Sequence, residues 1–337
     1  MCFWKKSEAK LWLILPQAFL LVGAGAAELK GPPFQLVLSG LSGEKTPPKA
    51  SAFTLGLEAL EAKDYPTALT HFESAAACAR LDTLPLVWLT SQFQVCQTLN
   101  LQGKQAESVD RARKIVDTCE RTLGAEDPIT SEALYHLAFL LKNNGRLAEA
   151  EPVYVRHLAC LVEKHGPESF FAACARTRLA DLLMLMGRME EAERHHRQAL
   201  AAAQAALGEV HADNCFFLTH LAYCLHVGQK KPEAAELMDK AFSIVKTSNA
   251  RDLSHQVSLL RRQAEFFRDN HQLDKARMTG RLCLELLVAR TEAHRSHFFY
   301  YGRVKDLYQS ILVADGLKPH EIKSHLAEVE NPLRDDR

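Results

Sequence analysis

Two histidine pairs of this chain come nearest to a metal-binding or catalytic motif. His320 and His325 flank Glu321 in a segment with the composition of a zinc-binding helix. Histidines four residues apart share one face of a helix, but these are five apart, which places them about 140° around it. We therefore interpret this segment as a solvated terminal helix and predict no metal there.

The second pair, His195-His196, lies in a segment with helical periodicity. Neighbouring residues of a helix point about 100° apart, so one face cannot present both rings. We expect His196 to pack inside the protein and His195 to be exposed. Neither histidine is predicted to be catalytic.

Other catalytic patterns are missing from the sequence. It contains no G-x-x-x-x-G-K phosphate loop, no G-x-S-x-G nucleophile elbow, and no G-x-G-x-x-G after a strand. We predict that the protein is not an enzyme and has no cofactor and no small-molecule substrate. An enzyme with dispersed catalytic residues is the least favoured alternative.

Composition and charge narrow the class of protein further. Hydrophobic residues make up 47% of the 337 residues and charged residues 24%, which is typical of a globular or solenoidal protein. Basic and acidic residues both number 41, so the net charge is zero. Because no overall positive field attracts nucleic acid, we predict no nucleic-acid partner.

The first 27 residues have the pattern of a secretory signal peptide. Lys5, Lys6 and Lys10 precede an apolar run over 11–27 that ends in small residues, and cleavage is expected after Ala26. A membrane-spanning helix needs about 20 apolar residues, and this run is shorter. We predict export to the periplasm or the exterior, with an uncleaved membrane anchor as the alternative. Only that alternative makes a membrane a partner.

Nine cysteines are unusual for an exported chain, because oxidising compartments favour disulfides. Eight of them fall in segments with helical periodicity, at irregular spacings and without a C-x-x-C motif. We expect most of them to be buried small residues. A disulfide between Cys174 and Cys215 remains an alternative.

A 42-residue period organises the rest of the chain. Leu137-Ala138, Leu179-Ala180 and Leu221-Ala222 are spaced by 42, and Gly145 and Gly187 follow the first two at a distance of seven. Such self-similarity is the signature of a solenoid. The pattern predicts an all-α fold, an α-solenoid of about six antiparallel helical hairpins.

The unit that begins at Ser131 shows how each hairpin is expected to form. Its first helix ends at the turn 143–145, where glycine adopts a left-handed conformation without a side-chain penalty. Ala138 and Ala150 are the small residues that let the two helices approach closely. The predicted organisation is a signal peptide (1–27), a Pro/Gly-rich linker (28–49), the repeat array (50–290), capping helices (291–330) and a flexible tail (331–337).

The chain resembles the tetratricopeptide repeat family over about residues 50–290. The landmarks of the first unit are Leu55-Gly56, Tyr65, Ala68, Phe72 and Ala75. The longer 42-residue units, closed by the segments 123–128 and 207–211, are similar to the kinesin-light-chain type of this repeat. The resemblance implies a non-catalytic scaffold whose first helices line a concave groove for another polypeptide.

The resemblance also implies which residues line that groove, because they lie on the first helices away from the Leu-Ala seam. They are Tyr135, His136, Phe139, Arg178, Asp181, His220, Tyr223, His226, Arg261, Arg262 and Glu265. Such a basic row would suit the carboxylates of an extended, acidic peptide. Its histidines would strengthen binding below about pH 6.5.

One binding motif of the family is missing from the candidate groove. The asparagines of the carboxylate-clamp subset of the family are missing at His136 and Phe139, so recognition of a chaperone C-terminus is not expected. A structural accessory subunit of an envelope or membrane-associated complex, without a peptide groove, is the alternative function.

Overall fold

The computed structural model describes residues 48–82, 84–247, 257–294 and 298–330, and these residues form fourteen α-helices and no strand. The all-α solenoid prediction is confirmed. The predicted signal peptide and tail lie outside the described residues, as does the linker except for its last two residues, which begin the first helix. The helices are α1 (Pro48–Glu61), α2 (Tyr65–Cys78), α3 (Pro85–Leu101), α4 (Gln105–Leu123), α5 (Pro128–Asn143), α6 (Leu147–His165), α7 (Phe170–Leu185), α8 (Met189–Leu207), α9 (Asn214–Val227), α10 (Lys231–Thr247), α11 (Val257–Asp269), α12 (Leu273–His294), α13 (Phe298–Ala314) and α14 (Pro319–Glu330).

Successive helices form six hairpins, and two further helices follow them. The hairpins are α1/α2, α3/α4, α5/α6, α7/α8, α9/α10 and α11/α12, and α13 and α14 both pack against α12. The chain divides into two compact units, the first ending at Ala206 and the second beginning at Leu207. The first unit contains hairpins one to four, and the second contains hairpins five and six with the two final helices.

The turn inside each hairpin requires one residue with a left-handed backbone. Gly103, Gly145 and Gly187 adopt φ values of 84°, 75° and 80° there, as the sequence predicts. In the first, fifth and sixth hairpins the same position holds a residue with a side chain. These residues are Lys63 (φ 60°), Gln229 (φ 64°) and His271 (φ 59°).

Small residues occupy the close approach between the helices of each hairpin. Ala138 and Ala150 have no exposed surface, which confirms their predicted role as spacers. In the second hairpin Ser108 replaces the second alanine, and its hydroxyl donates to the backbone carbonyl of Cys96 at 2.7 Å. The substitution therefore keeps the close approach and satisfies a polar group.

The sixth hairpin departs from the repeat pattern at two positions, and the structure explains both. Gln263 replaces the seam leucine, and its buried amide nitrogen donates to Thr219 Oγ1 at 3.1 Å. Gly280 replaces the aromatic residue of the second helix. A Cβ there would lie 3.1 Å from the side chains of Tyr308 and Ile311, so the glycine makes room for α13.

The cysteines whose contacts are clearest behave as buried small residues, as predicted. Burial raises the pKa of the Cys96, Cys215 and Cys283 thiols to about 12. Cys215 donates to the Ala241 carbonyl at 3.4 Å, and Cys283 donates to the Val257 carbonyl at 3.2 Å. Protonated thiols of this kind do not react as thiolates.

Among the helices of the described ranges, none combines the length and the apolar composition that crossing a bilayer requires.

Candidate partner-binding surfaces

The predicted groove residues of the first unit are mostly buried. Tyr135, His136, Phe139 and Arg178 lie in the interior, and Asp181 is partly buried. The sequence predicts an exposed row at these positions. In the structure, the first helices α3, α5 and α7 instead pack these side chains against one another.

Aromatic stacking holds this region together. The rings of Phe93 and His136 stack with centroids 3.6 Å apart and planes inclined by 24°. Phe139 lies edge-on to Phe93 at 6.2 Å. The guanidinium carbon of Arg178 lies 4.1 Å from the Tyr135 ring centroid, a cation–π geometry. We call these five residues (Phe93, Tyr135, His136, Phe139 and Arg178) the closed face.

Burial also changes the acid–base chemistry of the closed face. Burial, followed by the nearby charge of Arg178, lowers the pKa of His136 to about 3. Sequence reasoning expects binding to strengthen below about pH 6.5 through histidine protonation. That expectation is wrong for His136, because its ring stays neutral until the pH falls towards about 3.

His157 of α6 is a second buried histidine beside the closed face. Its Nδ1 atom lies 2.9 Å from the backbone carbonyl oxygen of Ser131 and 3.1 Å from the Ser131 hydroxyl. Burial lowers the pKa of His157 to about 3. The centroids of the His157 and Tyr135 rings are 5.8 Å apart, so His157 packs beside the closed face.

Glu132 is the residue that sequence reasoning missed. Its side chain is 3% exposed, and neither carboxylate oxygen has a hydrogen-bond partner. Burial raises its pKa to about 7, against the opposing effect of Arg178. A comparison of positions 42 residues apart could have found Glu132. The equivalent positions of the other hairpins hold Thr90, Cys174 and Phe216, which carry no carboxylate.

The two histidine pairs behave differently from each other. His196 is buried, as predicted, and its Nε2 lies 3.6 Å from Asp181 Oδ1. His195 is half-buried rather than exposed. His320 is exposed at the start of α14, and the part of the chain that the structure describes contains no cluster of three or more histidine, cysteine or acidic side chains suited to a metal.

The predicted residues of the second unit form a more open surface. Tyr223 is 37% exposed, and Val227, one turn later on α9, is 44% exposed. The guanidinium carbon of Arg262 lies 5.9 Å from the Tyr223 ring centroid, and an Arg262 nitrogen approaches the buried ring of His220 within 3.3 Å.

Further polar side chains border the exposed tyrosine. Arg261 and Glu265 form an ion pair one turn apart on α11. His226, partly buried, lies edge-on to Phe266 at 5.3 Å. We call the group of Tyr223, His226, Val227, Arg261, Arg262 and Glu265 the Tyr223 face.

Residues 171–247 match the tetratricopeptide repeat family. BtubC (BKLC) from P. vanneervenii is a similar solved structure, with 16% identity over 59% of this chain and 81% of that chain and a TM-score of 0.49. A putative kinesin light chain from Podosopora anserina, with nearly identical TPR-like repeats, shares 21% identity over 62% of this chain and 97% of that chain, with a TM-score of 0.44.

A Rap protein complexed with competence and sporulation factor shares 14% identity over 86% of this chain and 83% of that chain, with a TM-score of 0.50. This similarity concerns the fold. No curated protein matches the chain. The family match over residues 171–247 and the helical hairpins of the described residues support the presence of tetratricopeptide repeats in this chain.

Proposed function

We propose that this protein is a non-catalytic scaffold that binds a partner polypeptide through the Tyr223 face of its second unit. The observation that carries the proposal is the exposure of Tyr223 beside Arg262. Tyr223 lies on α9, a first helix whose other side chains are mostly buried. Tyrosine and arginine are, with tryptophan, the side chains enriched among residues that dominate binding energy at protein interfaces.

The layout of the Tyr223 face supports an extended segment of a partner. Tyr223 and Val227 are four residues apart and therefore lie on the same side of α9, where they offer an apolar centre. Arg261, Arg262 and Glu265 supply polar groups at its border. An apolar centre with a polar rim is the usual anatomy of a protein interface.

The arginine beside the aromatic ring favours a partner carboxylate. A guanidinium binds a carboxylate through charge-assisted hydrogen bonds, which are roughly twice as strong as neutral ones. We therefore propose an acidic residue of the partner opposite Arg262, with an apolar residue of the partner against Tyr223.

Partner capture by the full chain tests this proposal. Tyr223→Ala and Arg262→Glu should each reduce capture at least tenfold, the effect of losing about 1.4 kcal/mol or more of binding energy. Val155→Ala is the matched control, because Val155 is 48% exposed on helix α6 of the first unit and is not part of the Tyr223 face. Unchanged capture by both variants, with helical circular dichroism intact in all chains, would reject the proposal.

Export is a separate proposal about the same chain. We propose that residues 1–27 direct it out of the cytoplasm, because basic residues precede a short apolar run that ends in small residues. N-terminal sequencing of the mature protein should begin at Ala27. A mature chain that still begins at Met1 would contradict cleavage.

A further inference from the structure

The first unit buries a carboxyl group that its surroundings do not satisfy. Glu132 has two buried carboxylate oxygens without a hydrogen-bond partner, and the nearest ion-pair contact is His136 Nε2 at 3.5 Å. A buried ionised carboxylate needs several donors to offset the loss of water, whereas a protonated carboxyl group needs fewer. The packed arrangement therefore suits the protonated form.

The charged and titratable groups around Glu132 do not remedy this deficit. Arg178 on α7 attracts the carboxylate electrostatically, but its guanidinium is stacked on Tyr135 and makes no hydrogen bond to Glu132. His136 on the same helix and His157 on α6 both stay neutral, because burial lowers their pKa values to about 3.

The preceding first helix, α3, adds polar groups with the same deficit. It stacks Phe93 on His136 and buries the side chains of Gln94 and Gln97. Both side-chain atoms of the Gln94 amide and the Oε1 atom of Gln97 lack hydrogen-bond partners. Buried polar groups without partners each cost about 1–3 kcal/mol, and an opened arrangement that lets water reach them would recover that cost.

The fold itself does not require a carboxyl group at this position. The equivalent residues of the neighbouring first helices are Thr90, Cys174 and Phe216. Glu132 therefore adds a proton-binding group to a position that otherwise holds residues without a carboxylate.

We propose that Glu132 is a proton-controlled latch on the closed face of the first unit. With its proton, the carboxyl group keeps α3, α5 and α7 packed. When it ionises, it favours an opened state in which Glu132, Gln94 and Gln97 reach water and Tyr135, His136 and Phe139 become accessible. This inference concerns the first unit alone and does not depend on binding at the Tyr223 face.

Hydrogen exchange of the α5 amides between pH 5.5 and 8.5 tests the latch in the full chain. The comparison uses the native chain and two variants that cannot ionise, Glu132→Gln and Glu132→Thr, the latter introducing the residue type that Thr90 supplies in the preceding hairpin. Glu126→Gln, in an exposed loop, is the matched control. The histidines are the same in every chain, so the ratio of opening constants, native over variant, isolates Glu132.

The ratio should rise about 30-fold across this range, because the carboxyl group titrates near 7 when closed and near its ordinary value when open. The ratio for Glu126→Gln should stay constant. A ratio that stays within twofold for both Glu132 variants would overturn the proposal. The chemical shift of the Glu132 carboxyl carbon, measured against pH by nuclear magnetic resonance, provides a second test. A titration midpoint below pH 5.5 would also overturn the proposal.

Discussion

Arg178 and Tyr135, which belong to successive first helices, are locked together in the interior, with the guanidinium carbon 4.1 Å from the ring centroid. Their contact buries two of the predicted groove residues. Arg178 contributes to the packing between hairpins three and four of the first unit. Arg262 occupies the position equivalent to Arg178 two repeats later, and it lies half-buried beside the exposed Tyr223.

Charge reversal at these two arginines should have different effects on stability. Arg178→Glu removes a buried cation and places a carboxylate near Glu132, so it should lower the free energy of unfolding of the first unit by about 3–5 kcal/mol. Arg262→Glu should cost less than about 1 kcal/mol, because its side chain is partly solvated. Urea denaturation of both variants measures the difference. Equal costs would contradict the buried assignment of Arg178.

Replacing the two strained turn residues of the second unit should stabilise it. Gln229 and His271 adopt the left-handed conformation that Gly145 and Gly187 adopt in the first unit. Gln229→Gly and His271→Gly should each raise the free energy of unfolding by about 0.5–1 kcal/mol, because glycine has no Cβ penalty there. Thermal unfolding should show the gain, and Gly187→Ala should show a loss. A loss in both glycine variants would show that the turns are not strained.

Gly56 is fixed by its contact with Phe72. A Cβ at position 56 would lie 2.6 Å from Phe72 Cε1, inside a fully buried contact. Gly56→Ala should therefore cost about 1–3 kcal/mol through overpacking. The double variant Gly56→Ala with Phe72→Leu should cost less than the sum of the two single changes, since the smaller side chain makes room. Strict additivity in a thermal-unfolding cycle would contradict this close packing.

Acid should weaken the first unit through its buried histidines. His157 binds its proton with a pKa of about 3 in the folded chain, below the ordinary value of 6.5. The folded state therefore binds fewer protons than the unfolded state, and stability is lost as the pH falls from about 6.5 towards 3. By pH 5 the loss attributable to His157 should be about 2 kcal/mol. His157→Gln should lack this part of the loss in denaturation curves at pH 7 and pH 5, and an unchanged pH dependence would contradict it.

The sequence predicts the helical hairpins well because each landmark acts locally. A small residue such as Ala138 marks the point where two helices cross. A glycine such as Gly145 marks a turn with a left-handed backbone. Whether a groove residue is exposed depends instead on the side chains 42 residues away. Arg178 is buried against Tyr135 of the preceding first helix, and no single repeat contains that information.

Glu132 illustrates the same limit from the opposite direction. Its position in the period is simple to assign, yet its raised pKa depends on how completely α3, α5 and α7 exclude water. A sequence pattern records the residue type and not the exclusion of water. Comparison with Thr90, Cys174 and Phe216 was the available signal, because it shows that a carboxylate is unusual there.

The central claim is that a partner polypeptide contacts the Tyr223 face. Site-specific photocrosslinking tests this claim most directly. A benzophenone amino acid would replace Tyr223 in one full-length chain and Val155 in another, two positions with exposed side chains. We predict a crosslink to a partner polypeptide from position 223 that Arg262→Glu in the same chain suppresses, and none from position 155. Crosslinks from position 155 alone, or equal crosslinks from both positions, would contradict the account.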